Sequence, residues 1–162
     1  MIKKTLNYKS MLLIPCYIIL FEVLGSLSGY YSQPGEWYVD IIKSPYNPPG
    51  YIFPIAWTLL YALLAVYAWS LWHLYSEKKD LIQYLKIGFL IQMAINFLWS
   101  FVFFKMMWTG LACFMIMVMI VITCSLCITS IYHGMKTGFL LCPYILWLIF
   151  AQYLALFIYL HN

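Results

Sequence analysis

The chain has 162 residues, of which 65% are hydrophobic and only 9% are charged. A soluble domain carries about 25% charged residues, so this composition excludes a soluble globular protein and indicates that lipid surrounds most of the surface. The formal net charge of +4 comes from lysines scattered near the ends of apolar segments, a distribution that does not indicate nucleic-acid binding.

The apolar segments are long and continuous, which predicts membrane-spanning helices rather than barrel strands that alternate over about ten residues. A helix needs about 20 residues to cross the hydrocarbon. The predicted spans are residues 11–31, 51–73, 81–104, 107–131 and 138–160. Short connections between the last four spans make consecutive helices antiparallel neighbours. The sequence therefore predicts an all-α membrane protein in which residues 1–162 form a single five-helix bundle.

The first span has an alternative interpretation as a signal peptide. Lys3, Lys4 and Lys9 precede the apolar stretch, and residues 26–28 could form a cleavage site. The apolar character resumes after Glu22, and the segment reaches spanning length. We therefore favour a helix that stays in the membrane.

The lysines are distributed unevenly between the two sides of the predicted bundle. Most lie at the N-terminus or in the second and fourth connections, whereas Lys43 and Lys105 lie on the opposite side. The positive-inside rule then places the N-terminus in the cytoplasm, and the first loop and the C-terminus outside. This topology suits a bacterial inner membrane.

The first connection, residues 32–50, is long and does not have the composition of a flexible linker. It contains aromatic residues and prolines, among them Trp37, Tyr38, Tyr46, Pro45 and Pro48. Flexible linkers are rich in glycine and serine, so we predict an ordered loop that covers the open end of the bundle as a lid. The alternative is an aromatic belt at headgroup depth.

Three predicted spans carry a distinctive stripe of side chains on one helix face, at i, i+4, i+7 spacing. The stripe on the second span is Phe53, Trp57, Tyr61, Leu64 and Ala68. The stripe on the third is Gln92, Asn96, Trp99 and Phe103, and that on the fifth is Tyr144, Trp147, Ala151 and Ala155. We expect these stripes to line one cavity that opens outward.

A few polar residues and cysteines lie inside the apolar spans. Asn96 and Gln92 either bond neighbouring helices or provide a polar contact at the floor of the pocket. Glu22 is a functional candidate because intramembrane carboxylates are rare, but a structural bond to a neighbouring helix is an equal alternative. Cys124 and Cys127 have no histidine or acid nearby, so we expect packing residues with no metal and no disulfide.

Residues suited to acid–base chemistry are sparse. The three histidines, His73, His133 and His161, lie at helix ends on both sides and cannot meet at one metal ion. The sequence has no Gly-rich phosphate loop and no Ser-His-Asp arrangement. An aromatic cavity with so few acid–base groups favours binding over group-transfer catalysis.

Several short motifs occur in order along the chain. The first loop and second span contain Trp37-Tyr38, Lys43, Pro48-Pro49-Gly50 and Ala56-Trp57-Thr58-Leu59-Leu60-Tyr61. The third and fifth spans contain Asn96 with Trp99, Phe103-Phe104, Pro143-Tyr144, Trp147 and Phe150-Ala151. Together these motifs resemble the translocator protein family, the tryptophan-rich sensory proteins or peripheral-type benzodiazepine receptors, in its bacterial form. The segment from Lys43 to Tyr46 departs from the family pattern, with its proline shifted by one and Tyr in place of the usual Trp.

The resemblance implies a five-helix bundle, commonly a homodimer, with a ligand pocket under the first loop. It implies no required cofactor, but a ligand that is a porphyrin, a haem-like tetrapyrrole, a sterol or another lipid, or a synthetic drug. The residues that match the family's pocket are Tyr38, Pro48, Phe53, Trp57, Tyr61, Asn96, Trp99, Trp147 and Ala151. The animal sterol motif is missing, since no basic residue follows Tyr153 or Tyr159.

The leading functional hypothesis is a membrane receptor or carrier for a flat hydrophobic ligand, in particular a tetrapyrrole. The second is light-dependent porphyrin degradation, in which the resemblance implicates Trp57 and Trp147. The third is a regulatory interaction module, in which the small residues at 25–29 pack against a partner helix; the alternative is that these residues admit a close helix inside the bundle.

Overall fold

The computed structural model describes residues 8–73 and 79–162, and in this part of the chain the regular secondary structure is helical. A short helix, α1 (Tyr8–Met11), precedes the first long one. The long helices are α2 (Ile14–Tyr31), α4 (Ile52–His73), α5 (Lys79–Phe104), α6 (Thr109–Tyr132) and α7 (Leu141–His161). A short helix α3 (Glu36–Asp40) lies in the first loop, and a 3-10 helix (Lys136–Leu140) leads into α7. The five predicted spans are confirmed, since these five helices are long and apolar enough to cross a membrane.

The observed helix ends differ from the predicted ones by a few residues. Gly134 has a φ of 81°, the left-handed conformation that commonly follows the end of a helix, and it stops α6. Met107 has a φ of 58° in the tight turn between α5 and α6, so α6 begins two residues later than predicted. The predicted second connection includes residues 74–78, which lie outside the described residues.

Prolines occupy the first turns of three of the long helices. Pro15 is the second residue of α2, Pro54 the third of α4 and Pro143 the third of α7. The first turn leaves its N–H groups without helical partners, so a residue without an N–H fits there. The three helices therefore start with proline and continue without a break.

The long helices pack as a closed bundle. Contacts join α4 to α5, α5 to α6, α6 to α7 and α7 back to α4, and α2 packs against α4 and α5. The 3-10 helix packs against α4 and α6. The core is apolar, with fully buried side chains such as Leu64, Phe89, Ile116 and Leu148. Large apolar side chains also cover the outer surface of the helices, as expected for an integral membrane protein.

The first loop, residues 32–50, lies against the ends of α5 and α7. Trp37 packs edge-on against Phe103, with ring centroids 5.9 Å apart. The Ser44 and Tyr153 hydroxyls are 2.9 Å apart and hydrogen-bonded. The side-chain amide of Asn162 accepts from the Ile42 N–H at 2.9 Å and donates to the Ile42 carbonyl at 3.1 Å. The loop is therefore tied to the bundle by aromatic packing on one side and hydrogen bonds on the other.

Candidate ligand cavity

A cavity of about 530 Å³ lies between α2, α4, α5 and α7, with the first loop contributing part of its wall. This volume lies within the range of about 300–1,000 Å³ that is usual for small-molecule sites. The loop contributes Ser32, Pro34, Tyr38, Asn47, Pro48 and Gly50. The site is thus assembled from four helices and one connection that lie far apart in sequence.

Most of the predicted pocket residues lie on this cavity. Those that line it are Tyr38, Pro48, Phe53, Trp57, Tyr61, Trp99 and Ala151. The two that do not line it are Asn96 and Trp147, which lie behind its wall. Contact of these residues with a ligand stays a prediction.

The α4 side of the cavity is a column of aromatic rings. Phe53, Trp57 and Tyr61 follow one another at a spacing of four residues, which places them on one helix face. Trp57 stacks on Tyr61, with ring centroids 5.2 Å apart at an interplanar angle of 29°. Trp147 on α7 supports this column edge-on, at 6.1 Å from Phe53 and 6.4 Å from Trp57. These edge-to-face contacts are favourable for ring quadrupoles and fix the orientation of Trp57.

The α5 side of the cavity is also aromatic. Trp99 stacks on Phe103, with centroids 5.0 Å apart at 17°. The Trp99 Nε1–H donates to the carbonyl of Ala112 at 3.0 Å, so the polar edge of the indole is satisfied by the protein. Phe103 in turn contacts Tyr38 of the loop at 6.2 Å. Trp99 therefore needs only apolar or stacking contacts from a ligand.

A buried hydrogen-bond network lies behind the aromatic column. The Tyr61 hydroxyl donates to Asn96 Oδ1 at 3.0 Å, and Asn96 Nδ2 donates to the Tyr144 hydroxyl at 2.8 Å. Gln92 Nε2 also donates to the Tyr144 hydroxyl. Asn96 and Gln92 are 4% and 1% exposed. The hydrogen bonds observed for these amides join neighbouring helices, which is the first of the two alternatives. Asn96 thereby fixes the Tyr61 ring.

Helix α2 contributes a side of the cavity that sequence reasoning missed. Its residues on the cavity are Glu22, Gly25, Ser26, Ser28 and Gly29. A Cβ atom at Gly25 would lie 2.1 Å from Tyr61 Cε2, so glycine is needed for α2 to approach α4. The Ser28 hydroxyl donates to the Phe97 carbonyl at 2.7 Å. The small residues at 25–29 were a visible signal, and two of them, Gly25 and Ser28, serve packing within the bundle.

Helix α7 contributes a second group of residues that the predicted site lacked. Leu154, Ala155 and Ile158 line the cavity beside Ala151. Ala155 belongs to the stripe predicted on the fifth span, Leu154 is three residues after Ala151, and Ile158 is one helical turn after Ala155, so a wider and longer stripe on that face would have identified the other two.

Glu22 is the carboxyl group of the cavity wall. Its Oε1 atom is buried and has no hydrogen-bond partner within residues 8–73 and 79–162. In the described residues this oxygen therefore does not make the bond to a neighbouring helix that the structural alternative requires.

Tyr38 connects the loop to the cavity. Its ring packs on Phe104 at 5.1 Å, and the Lys43 ammonium lies 4.8 Å from its centroid in a cation–π contact. Burial raises the pKa of the Tyr38 hydroxyl above its ordinary value, because the phenolate would lose solvation. Tyr38 is thus a neutral, apolar part of the wall at physiological pH.

The remaining chemically reactive residues lie elsewhere in the bundle. Each histidine ring contacts the carbonyl four residues earlier at its helix end. Cys127 Sγ lies 3.8 Å from Cys142 Sγ, near the beginning of α7. Within the described part of the chain, no group of three His, Cys, Asp or Glu side chains could hold a metal ion. The cavity is therefore the feature of this structure best suited to binding.

Comparison with known proteins gives a consistent result along most of the chain. The model of the TspO/MBR family matches residues 13–160. The chain is 35% identical over 128 residues to the tryptophan-rich protein TspO of Archaeoglobus fulgidus, covering 78% of this chain and 80% of the relative. It is 32% identical over 120 residues to the tryptophan-rich sensory protein of Cereibacter sphaeroides, covering 74% and 73%. It is also similar to protein CrtK of Rhodobacter capsulatus, at 26% identity over 143 residues and 88% of each chain. The chain therefore belongs to the TspO/MBR family.

Proposed function

We propose that this membrane protein binds a flat hydrophobic ligand, a porphyrin or another tetrapyrrole, in the cavity below the first loop. The observation that supports the proposal best is the pair of indole walls. Trp57 from α4 and Trp99 from α5 line the same cavity, and both have their ring orientation fixed by neighbours. A planar macrocycle is the kind of ligand that such walls favour, because its faces can stack on indole rings.

The driving force would be apolar burial and stacking. Removing apolar surface from water is worth about 25 cal/mol per Å², and an aromatic pair adds about 0.5–1.5 kcal/mol. Ordering the ligand and the wall offsets a large part of this gain. Since Trp57 and Tyr61 already stack on each other and Tyr61 is bonded to Asn96, the wall is largely pre-organised and its ordering term is small.

We propose that residues 32–50 act as a lid over this cavity. Opening the lid would break the Ser44–Tyr153 contact and both bonds between Ile42 and Asn162, and would expose the packed ring of Trp37. Hydrogen bonds each contribute about 0.5–1.5 kcal/mol, so a few of them can hold a loop closed and still allow it to open.

A second candidate function is light-dependent porphyrin degradation, and the position of Trp57 favours it. Trp57 lines the cavity and contacts both Trp147 and Tyr61. A photoexcited porphyrin stacked on Trp57 could take an electron from the indole, and Trp147 and Tyr61 could then share the oxidised site. This hypothesis requires a new tetrapyrrole product in the presence of light and oxygen.

The membrane, topology and assembly are further parts of the proposal. The lysine distribution supports a cytoplasmic N-terminus with the first loop and C-terminus outside, in a bacterial inner membrane. Three further properties stay predictions. They are a homodimer, transport of the ligand across the membrane, and binding of a lipid or sterol instead of a tetrapyrrole.

The test is a titration of protoporphyrin into the protein in lipid nanodiscs, in the dark, followed by tryptophan quenching. We expect saturable quenching for the wild type and at least about tenfold weaker binding for Trp57→Ala, because a stacking wall is lost. Trp108→Ala is the matched control, since Trp108 is exposed and lies outside the cavity. Equal, non-saturating quenching in all three proteins would mean partitioning into lipid and would overturn the proposal.

A further inference from the structure

The carboxyl group of Glu22 is unusual in its surroundings. Glu22 lies on α2, lines the cavity, and has a buried Oε1 atom without a hydrogen-bond partner in the described part of the chain. Gly25, less than one turn further on the same face, packs against Tyr61, so this face of α2 is turned toward α4. Glu22 is only partly buried and lines the cavity, so its carboxyl group can accept a hydrogen bond from a ligand that carries a donor.

The described part of the cavity wall offers no positive charge to Glu22. Among the described residues that form the cavity wall there is no lysine, arginine or histidine. Lys43, the lysine of the first loop, donates to the Val39 carbonyl at 3.0 Å and lies over the Tyr38 ring. The rest of the wall is apolar and aromatic, apart from the serine and threonine hydroxyls and Asn47. A carboxylate facing aromatic walls is an arrangement that suits a cation, through both charge and ring quadrupoles.

The position of Glu22 along its helix indicates where the partner comes from. Glu22 is eight residues after Ile14 and nine before Tyr31, so it lies about 12 Å from the start and about 14 Å from the end of α2 at about 1.5 Å per residue. A lipid headgroup stays near the ends of a spanning helix. The ammonium group of a neighbouring phospholipid is therefore too far along the helix to reach Glu22, and a donor for this carboxyl group would have to belong to a molecule inside the cavity.

We propose that Glu22 makes this cavity selective for apolar ring molecules that carry an N–H donor, and above all for those with a protonated amine. The inference rests on the proposed function, because it assigns a ligand chemistry to the same cavity. The ring system stacks on Trp57 while the nitrogen donates to the Glu22 carboxyl group, which lines the cavity. For a tetrapyrrole, the pyrrole N–H groups are acceptable at this point, whereas a propionate beside Glu22 is excluded by charge repulsion.

The test uses two probes of one shape, aminomethyl-anthracene and ethyl-anthracene, which differ by an ammonium in place of a methyl group. Binding is measured by tryptophan quenching in nanodiscs of phosphatidylcholine alone, so that no lipid provides an N–H donor. Empty nanodiscs give the partitioning of each probe, which is subtracted. We expect the wild type to bind the amine roughly tenfold more tightly than the hydrocarbon, as for a charge-assisted hydrogen bond.

Two variants at one position and one control identify the group responsible. Glu22→Gln should lose most of the preference and Glu22→Leu all of it, while both still bind ethyl-anthracene, which shows that the cavity is intact. Glu36→Gln makes the same charge change at an exposed loop residue outside the cavity and should keep the preference.

The outcomes separate the two proposals. If ethyl-anthracene and protoporphyrin bind but the amine is not preferred, or if Glu22→Gln keeps the preference, the role of Glu22 is wrong and the aromatic cavity stands. If the amine binds through Glu22 and protoporphyrin does not, the tetrapyrrole assignment fails and the selectivity stands. If no probe saturates the wild type, both proposals are wrong.

Discussion

Gly25 offers the most quantitative test of how the cavity is built. A methyl group at this position would lie 2.1 Å from Tyr61 Cε2, 2.6 Å from Cδ2 and 2.8 Å from Cζ, which are distances that real contacts do not reach. The Tyr61 ring cannot swing away freely, because it stacks on Trp57 and its hydroxyl is bonded to Asn96. In Gly25→Ala, either α2 moves outward or Tyr61 leaves these two partners.

The expected magnitude follows from opposing terms. Overpacking a tight contact destabilises by about 1–3 kcal/mol, and loss of the Tyr61–Asn96 bond adds about 1 kcal/mol. Alanine is a better helix former than glycine by about 1 kcal/mol, which offsets part of the loss. We therefore expect Gly25→Ala to be about 1–3 kcal/mol less stable than the wild type, with changed Trp57 fluorescence.

Gly29→Ala is the matched control for this prediction. Gly29 is on the same helix one turn later and also lines the cavity, but a Cβ atom there meets nothing within 4 Å. The assay is thermal unfolding in nanodiscs, together with the emission spectrum of the folded protein. Equal stability of the two variants would refute the packing argument, and with it the view that glycine is required for the contact between α2 and α4.

Three further predictions concern the network behind the wall and the loop. Asn96→Leu should be destabilised by about 2–3 kcal/mol in thermal unfolding, because the hydroxyls of Tyr61 and Tyr144 lose a buried partner; wild-type stability would contradict the network. Asn162→Ala should speed hydrogen exchange at the Ile42 amide several-fold by removing its acceptor, and unchanged exchange would show that this bond does not hold the loop. The raised pKa of Tyr38 means that the folded loop favours the neutral phenol. The packing of Tyr38 against the bundle is therefore fully present below about pH 10 and weakens as the pH rises further. Above this pH, hydrogen exchange of the loop amides should rise more steeply with pH in the wild type than in Tyr38→Phe. Identical pH profiles for the two proteins would count against the prediction.

The spans and the α4 wall could be predicted from the sequence for physical reasons. A helix must present about 20 apolar residues to cross the hydrocarbon, so length and composition suffice to locate it. Phe53, Trp57 and Tyr61 are large and evenly spaced, and their common face follows from helix geometry alone. Both signals are local in sequence.

What the sequence did not reveal depends on partners from distant segments. The polar atoms of Asn96 are directed to Tyr61 and Tyr144 because their hydroxyls reach it from two other helices. The role of Gly25 is visible only once the Tyr61 ring is seen against it. Helix α3 was missed because five residues give too short a pattern to distinguish from a loop.

The most direct test of the proposed site is the set of indole N–H signals in an NMR spectrum of the protein, recorded in the dark with and without protoporphyrin. The chain has seven tryptophans, so each signal can be assigned by single substitution. A macrocycle in the cavity should shift the signals of Trp57 and Trp99 most, and that of Trp147 through its contact with Trp57, while exposed Trp72 and Trp108 stay unchanged. Shifts that are largest at Trp72 or Trp108, or equal at all seven, would contradict a tetrapyrrole site in this cavity.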